Sequence, residues 1–225
     1  MSLTILHDLE QGTDAWLEAR RGILTASVVG RLLTPTGRPA NNDTSRGVIH
    51  TLAAERITGR VEPTSMTPDM WRGVESEPFA RTHYAAHTNQ TVTEVGFMIR
   101  DDWGFPIGYS PDGLVGDDGA IEIKAPRGKT HLQTVLADEV PPYHMPQLQT
   151  GLLVSGRNWI DYVSFLAGEP LYIKHVTPDP AWQEAIIAAA TQFEEAVNRI
   201  TETYEQRTRG LPPTEPIPTD IEVVI

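Results

Sequence analysis

Asp112, Glu122 and Lys124 are the three charged residues of interest in the segment GYSPDGLVGDDGAIEIKAP, residues 108–126. Asp112 lies in a Pro-Asp-Gly turn, whereas Glu122 and Lys124 lie in an apolar run that alternates with a period of two. Because successive side chains of a strand point to opposite faces, Glu122 and Lys124 are expected to project from the same face. One interpretation is an ion pair on the solvated face of an edge strand, which would contribute only about 0–1 kcal/mol.

A hairpin through the sequence GDDG offers a second, chemical interpretation. Pairing of the apolar runs GLVGD and AIEIKAP folds Asp112 back beside Glu122. Two carboxylates and the main-chain carbonyl of Ile123 form a set of hard oxygen ligands that suits Mg²⁺ or Mn²⁺. A metal-bound water has a lowered pKa, and Lys124 can hold or deprotonate that water. The segment therefore favours metal-assisted hydrolysis of a phosphodiester.

The sequence PD at residues 111–112, followed nine residues later by EIK, is the PD-(D/E)xK nuclease pattern. With its flanking residues, this segment resembles the active-site segment of the phage lambda exonuclease family, the viral recombinase nucleases. The resemblance covers most of residues 8–175 and implies a PD-(D/E)xK restriction-endonuclease-like fold. It assigns Asp112 and Glu122 to the metal and Lys124 to the attacking water.

A second segment, EQGTDAWLEARRGILTAS at residues 10–27, resembles the N-terminal signature of the same family. The resemblance implies that Arg20 and Ser27 bind the 5′-terminal phosphate of DNA, with Ser110 beside the metal site. A guanidinium offers a bidentate fork for phosphate, and free N–H groups at the start of a helix attract anions. The alternatives are a solvated Arg20 and a Trp16 that packs in the core instead of contacting a DNA base. The further substrate contacts expected here are Trp16 and Thr25.

Two helical segments supply the remaining candidates. In RGVESEPFARTHY, Glu77 shares one helix face with Ala80 and Tyr84, and this face resembles the Gly-x-x-x-Glu-x-x-Ala helix of the family. A charged residue on such a face needs a partner, which is either a divalent ion or Arg81 one turn later. The resemblance makes Glu77 the third acid at the metal. In YHMPQLQTGLLVSG it also makes Gln147 a water or substrate contact.

The composition describes an acidic chain of 225 residues without cysteine, with a formal net charge of −12. The absence of cysteine excludes disulfides and thiolate metal sites. A negative charge is the wrong sign for contacts with phosphates, although residues 1–60 carry seven Arg against six Asp or Glu. Such an enzyme can bind DNA if its cations line one groove and its acids lie outside it. No apolar run approaches the roughly 20 residues of a membrane-spanning helix, and we expect an intracellular protein.

The order of the predicted elements favours the α/β class. Helices come first, followed by a meander of short strands, two helices, a strand pair and a long helix, which predicts a central mixed β-sheet flanked by helices. One nuclease domain is expected over residues 1–225, with residues 208–225 as a Pro-rich extended arm. The longer helices are predicted at about residues 67–88, 128–137, 141–155 and 179–206.

Residues and resemblance together predict a Mg²⁺-dependent deoxyribonuclease, with Mn²⁺ as a substitute. The resemblance implies a phage- or prophage-encoded 5′-to-3′ exonuclease that acts on ends of double-stranded DNA, releases mononucleotides and leaves a 3′ single-stranded overhang. It also implies a homotrimeric ring and a single-strand annealing protein as a partner. The alternatives are a structure-specific or restriction-type endonuclease, a non-catalytic DNA-end binding protein on the same fold, and an interaction module in which Glu122 and Lys124 form a surface pair.

Overall fold

Helices and short strands alternate along the chain, which a computed structural model describes over residues 2–34, 36–61 and 65–215. The helices are α1 Asp14–Arg20, α2 Ala26–Val29, α3 Asp43–Thr58, α4 Pro68–Thr88, α5 Gly128–Ala137, α6 Met145–Ser155 and α7 Pro180–Thr208. The strands are β1 Leu3–Leu6, β2 Leu24–Thr25, β3 Val92–Thr93, β4 Phe97–Arg100, β5 Ile107–Tyr109, β6 Gly113–Val115, β7 Gly119–Lys124, β8 Trp159–Ser164 and β9 Tyr172–Val176. Short 3-10 helices cover Gly30–Leu32 and Pro142–His144.

The strands form two mixed sheets, with the orders β1-β4-β5-β2 and β3-β6-β7-β8-β9. Each sheet contains one parallel pair, β2 with β5 and β7 with β8, and its other pairs are antiparallel. The predicted α/β class with mixed strand pairing and flanking helices is confirmed, but the strands form two sheets where one central sheet is predicted. The division falls within the run TVTEVGFMIR, whose two halves, β3 and β4, belong to different sheets.

One hydrophobic core joins the two sheets. Met98 and Ile107 of the first sheet belong to the same buried cluster as Ile160 and Tyr162 of the second. Residues of α2, α3, α6 and α7 complete this cluster. A second cluster packs α4 against β7 through Ile121, so β7 is covered on both faces.

The helix boundaries follow local signals in the sequence. Thr13 caps α1 by accepting a hydrogen bond from the N–H of Trp16, and Gly59 ends α3 in the left-handed conformation that glycine favours. Strands β1 and β2 were not anticipated, because runs of four and two residues are too short to reveal a period. No helix in the described ranges is long and apolar enough to cross a membrane.

The predicted C-terminal arm falls partly outside the described residues. Helix α7 ends at Thr208, two residues later than predicted, and residues 209–215 have no regular secondary structure. The remainder of the arm, residues 216–225, lies outside the described residues. The arm and the single-domain boundaries therefore stay predictions.

The junction between the two sheets has no room for a side chain at Gly96. A methyl group there would overlap the carbonyl group of Leu9, so we expect Gly96→Ala to lower the free energy of unfolding by about 1–3 kcal/mol. The matched control is Gly47→Ala in α3, where the space is open and the free energy of unfolding should rise by about 0.5–1 kcal/mol. Urea unfolding of both variants tests this, and a neutral Gly96→Ala would contradict it.

Candidate active site

The hairpin that brings the two predicted carboxylates together is present. Strands β6 and β7 pair antiparallel, with Gly113 opposite Ile121, so Asp112 lies at the open end of the hairpin beside the last residues of β7. Its Oδ2 accepts a hydrogen bond of 2.6 Å from the N–H of Ile123. This bond attaches the Pro-Asp-Gly turn to the strand that carries Glu122 and Lys124.

Glu122 is buried at the centre of a hydrogen-bonded network, with only 1% of its surface exposed. Its Oε1 accepts hydrogen bonds from Lys124 Nζ at 2.7 Å and from Gln147 Nε2 at 2.5 Å. The hydroxyl of Tyr109 donates to Oε2 at 3.4 Å. Because β7 pairs with β6 on one side and β8 on the other, the interpretation as an edge-strand ion pair is wrong.

Burial and charge control the protonation of this cluster. Burial and the neighbouring carboxylate of Glu122 raise the pKa of Asp112 well above its ordinary value. Burial disfavours the charged form of Lys124, but the carboxylates of Glu122 and Asp112 outweigh this effect and raise its pKa to about 12. Lys124 is therefore an ammonium group at neutral pH, so it is a hydrogen-bond donor and not a base in the state described.

The predicted phosphate-binding residues form a second network around Arg20. Its guanidinium donates to Ser110 Oγ at 3.0 Å and to the hydroxyls of Thr25 and Ser27 at 3.4 Å each. The Trp16 ring lies under the guanidinium, 4.0 Å from its centroid, and its Nε1 donates to Ser110 Oγ at 3.0 Å. Burial lowers the pKa of Arg20 to about 10, which leaves it charged at neutral pH. Arg20 is thus a half-buried cation surrounded by hydroxyls and not a solvated helix charge.

The helix that follows Thr25 is shorter than the phosphate argument requires. Helix α2 spans only four residues, and the side chain of Thr25 makes no capping hydrogen bond. Since the partial charge at a helix start comes from several aligned peptide units, α2 adds little to anion binding. The predicted binding of a phosphate in this region therefore depends on Arg20 and its neighbouring hydroxyls.

Every residue that the sequence predicts for the site lines one cavity of about 160 Å³, together with Gln11, Ala26 and Tyr109. Glu77 reaches this cavity from α4, and burial is the main cause that raises its pKa. Its Oε2 also lies 3.6 Å from Nη1 of Arg81. The pairing of Glu77 with the arginine one turn later is therefore present, and its role at a metal stays a prediction that its place in the same cavity as Asp112 and Glu122 supports.

The donor atoms of the cavity fit a hard divalent cation. The Asp112 carboxylate is hydrogen-bonded to the N–H of Ile123 and the Glu122 carboxylate to Lys124, so both lie at the end of β7. Mg²⁺ prefers oxygen ligands and keeps several waters. Burial and repulsion from Glu122 raise the pKa of Asp112, and a bound cation relieves that repulsion. Across the described ranges, no group of three or more His, Asp or Glu side chains is arranged to hold a metal by itself.

Two further residues of the site, Gln11 and Tyr109, are not among those predicted from the sequence. Gln11 donates from Nε2 to the carbonyl oxygens of Val95 at 3.0 Å and Pro111 at 2.9 Å, and thereby ties the Asp112 turn to the chain before α1. Tyr109 reaches Glu122 from the other sheet. Gln11 belongs to the quoted N-terminal signature, which could have identified it, whereas the contact of Tyr109 depends on how the two sheets meet.

Comparison with known proteins agrees with this geometry. Residues 15–158 match the YqaJ-like viral recombinase domain. The chain belongs to the YqaJ-like viral recombinase family. Two structures of the alkaline exonuclease LHK-Exo from Laribacter hongkongensis, one of them in complex with dAMP, are 32% identical to it and superpose with TM-scores of 0.79 and 0.80. In both comparisons the match covers 89% of this chain and 100% of the exonuclease chain.

More distant comparisons bear on the fold alone. A phage-related exonuclease from Haemophilus somnus 129PT superposes with a TM-score of 0.59 at 11% identity, over 81% of this chain and 96% of the other. Among curated proteins, none matches this sequence. The resemblance inferred from the sequence is confirmed, and membership of the viral recombinase family together with the alkaline exonuclease relatives supports a deoxyribonuclease.

Removing one of the two crowded carboxylates should stabilise the metal-free protein. Because the pKa of Asp112 is raised in the folded state, its ionised form opposes folding once the pH exceeds the ordinary value of 3.8. We expect Asp112→Asn to raise the free energy of unfolding at neutral pH by about 1–3 kcal/mol. The gain should shrink in acid, where the wild-type carboxyl is protonated.

Urea unfolding in the presence of a chelator, at neutral and at acidic pH, measures this difference. Asp117→Asn in the exposed turn between β6 and β7 is the matched control, and it should change stability by less than about 0.5 kcal/mol. Equal or lower stability of Asp112→Asn at neutral pH would refute the expectation.

Proposed function

We propose that the chain is a Mg²⁺- or Mn²⁺-dependent exonuclease that digests double-stranded DNA from its 5′ ends. The observation that carries this proposal is one cavity lined by two groups of residues. One group is the carboxylates of Asp112 and Glu122, and the other is Arg20 with the hydroxyls that it contacts. The first network suits phosphodiester hydrolysis, and the second suits a phosphate group. Their proximity suits a strand whose terminal phosphate is held while the next phosphodiester is cut.

In this proposal Asp112, Glu122 and the carbonyl of Ile123 hold the metal, and Glu77 assists. When bound, the ion supplies a water of lowered pKa and offsets charge on the phosphate. Lys124, a cation at neutral pH, donates a hydrogen bond that positions the attacking water. Gln147 orients the carboxylate of Glu122 through the 2.5 Å contact to Oε1 and also lines the cavity.

The proposed polarity comes from the family resemblance, which assigns the terminal 5′-phosphate to the Arg20 network. A 5′-phosphate that accepts hydrogen bonds from Arg20, Ser27 and Ser110 would let the first phosphodiester lie at the carboxylates, which line the same cavity. Cutting there releases a 5′-mononucleotide and shortens the 5′-ended strand, which leaves a 3′ overhang. The complex of LHK-Exo with dAMP, a mononucleotide, supports this product class. Trp16 and Thr25 position Arg20 and Ser110 in this arrangement.

Two alternatives make different predictions about the substrate. A structure-specific or restriction-type endonuclease needs no site for a terminal phosphate, so the Arg20 network argues against the endonuclease. A non-catalytic DNA-end binding protein needs no ammonium group beside paired carboxylates, so Lys124 argues against the non-catalytic protein. Pure protein with Mg²⁺ should digest linear duplex DNA and leave a covalently closed circular duplex intact, and nicking or linearisation of the circle would favour the endonuclease.

The quaternary structure and the partner stay predictions from the resemblance. A homotrimeric ring around DNA would place cations toward its lumen and the excess acid of this chain, with its net charge of −12, on the outside. A single-strand annealing protein would then receive the 3′ overhang. The Mg²⁺ requirement is a prediction of the same kind, supported by the donor set.

Lys124→Ala should nearly abolish digestion. Loss of the ammonium group that donates to Glu122 removes the donor for the attacking water, and loss of one such preorganised donor costs roughly 100- to 1,000-fold in rate. The measurement is kcat on linear duplex DNA in Mg²⁺. Lys174→Ala is the matched control. Lys174 lies on β9 and pairs with the exposed Asp138, which directly follows α5, so its loss should leave kcat unchanged.

Arg20→Lys should remove the preference for phosphorylated ends. A lysine keeps the charge but loses the fork, and a hydrogen bond to a charged group contributes about 1.5–3 kcal/mol, so kcat/KM on 5′-phosphate ends should fall roughly 10- to 100-fold. On 5′-hydroxyl ends the variant and wild type should differ little. Equal digestion of both kinds of end by the wild type would contradict the role given to Arg20.

A further inference from the structure

A second cavity, of about 400 Å³, lies beside the candidate active site. The two cavities share Gln11, Glu77 and Asp112, whereas Arg81 and Glu94 line only the second. Glu77 and Asp112 therefore border both cavities, whereas Glu122 lines only the first. Lys124 lines the first cavity and Arg81 lines the second.

Arg81 contacts three groups with its guanidinium. Nη1 donates to the carbonyl oxygen of Asp112 at 3.2 Å and lies 3.6 Å from Glu77 Oε2, while Nη2 lies 2.9 Å from Glu94 Oε2. The Arg81 side chain is 16% exposed and that of Glu94 is 69% exposed. The Arg81 guanidinium thus contacts the main chain of Asp112, the carboxylate of Glu77 in the site and the exposed carboxylate of Glu94.

The contacts to the main chain leave the Asp112 turn little freedom. Gln11 donates to the carbonyl of Pro111 at 2.9 Å, Arg81 donates to the carbonyl of Asp112, and the N–H of Ile123 donates to the Asp112 carboxylate. Two successive carbonyl oxygens and the side chain between them are all hydrogen-bonded. Positioning of the Asp112 carboxylate therefore depends on Arg81 as well as on the β6–β7 hairpin.

The pairing with Glu77 adds a competition of charges. Oε2 of Glu77 faces Arg81, so a divalent cation that binds this oxygen has to share it with the guanidinium or displace the guanidinium. Glu94 offers Arg81 a second carboxylate that lies outside the cavity of the proposed metal site. A shift of Arg81 toward Glu94 would leave both oxygens of Glu77 to the metal.

We infer that Arg81 is a positioning residue of the metal site. It holds the Asp112 main chain and pairs with Glu77 as long as no metal binds Glu77. When a metal binds, Glu94 is the alternative partner of Arg81. This inference rests on the proposed function, since it concerns the same acids. It assigns roles to Arg81 and Glu94 beyond the residues proposed above for metal, water and phosphate.

The test is calorimetric titration of the full chain with Mn²⁺ in the absence of DNA. Arg81→Gln removes the competitor for Glu77, so its Mn²⁺ affinity should rise roughly three- to tenfold, the range expected for coupled neighbouring groups. Glu94→Gln removes the alternative partner, so Arg81 should hold Glu77 more firmly and Mn²⁺ affinity should fall. Glu10→Gln is the matched control, because Glu10 lines the same cavity and its loss reports the general effect of removing one negative charge.

The decisive quantity is the coupling between Arg81 and Glu94. In the wild-type background Glu94→Gln should weaken Mn²⁺ binding at least about threefold more than Glu10→Gln does, whereas in the Arg81→Gln background the two losses should be equal. A merely structural arginine gives no such coupling. In exonuclease assays Arg81→Gln should show a lower kcat despite its tighter Mn²⁺ binding, because the Asp112 turn has lost an anchor.

The possible outcomes separate this inference from the proposed function. Equal effects of Glu94→Gln and Glu10→Gln in both backgrounds would overturn the role of Arg81 and leave the nuclease intact. Mn²⁺ binding with coupling but without DNA digestion would support Arg81 and overturn the proposed activity, and a wild type that binds no Mn²⁺ would overturn both. If Arg81→Gln does not fold, Arg81→Lys replaces it, since it keeps the charge but loses the fork and should show a weaker coupling.

Discussion

The burial of Glu122 in a central strand is the constraint on which the rest of the site depends. A carboxylate removed from water is tolerated only when charges and hydrogen bonds compensate for its lost solvation. Lys124 comes from the same strand, Gln147 from α6 and Tyr109 from the first sheet. The need to satisfy one buried side chain therefore ties together three separate elements of the fold.

The division of the strands into two sheets has a functional consequence. Strand β5 and helix α1 belong to the part of the fold that carries Ser110 and Arg20, whereas β6 and β7 carry the carboxylates. The cavity lies where these two parts meet, and Gln11 and Tyr109 bridge them. The network proposed to bind phosphate can then adjoin the network proposed to bind the metal, although no single sheet supplies both.

Local charge balance reconciles an acidic chain with an anionic substrate. Two of the three acids of the site have a cation close by: Lys124 at Glu122, and Arg81 at Glu77. Arg20 instead contacts hydroxyls and an aromatic ring. Phosphate binding depends on such local arrangements and not on net charge, since exposed charges beyond roughly 10 Å are largely screened.

The sequence by itself determined what is local. The alternation in AIEIKAP placed Glu122 and Lys124 on one face, and the Gly-rich turn returned Asp112 to them. Family resemblance assigned Arg20, Ser27, Glu77 and Gln147 to one site, and the structure brings these residues to one cavity. Only the tertiary structure decided that β7 is a central strand, that the strands form two sheets, that Tyr109 contacts Glu122, and that Arg81 contacts the main chain of Asp112. Those features depend on pairing between distant segments, such as β7 with β8, and local periodicity contains no information about which distant segment a strand pairs with.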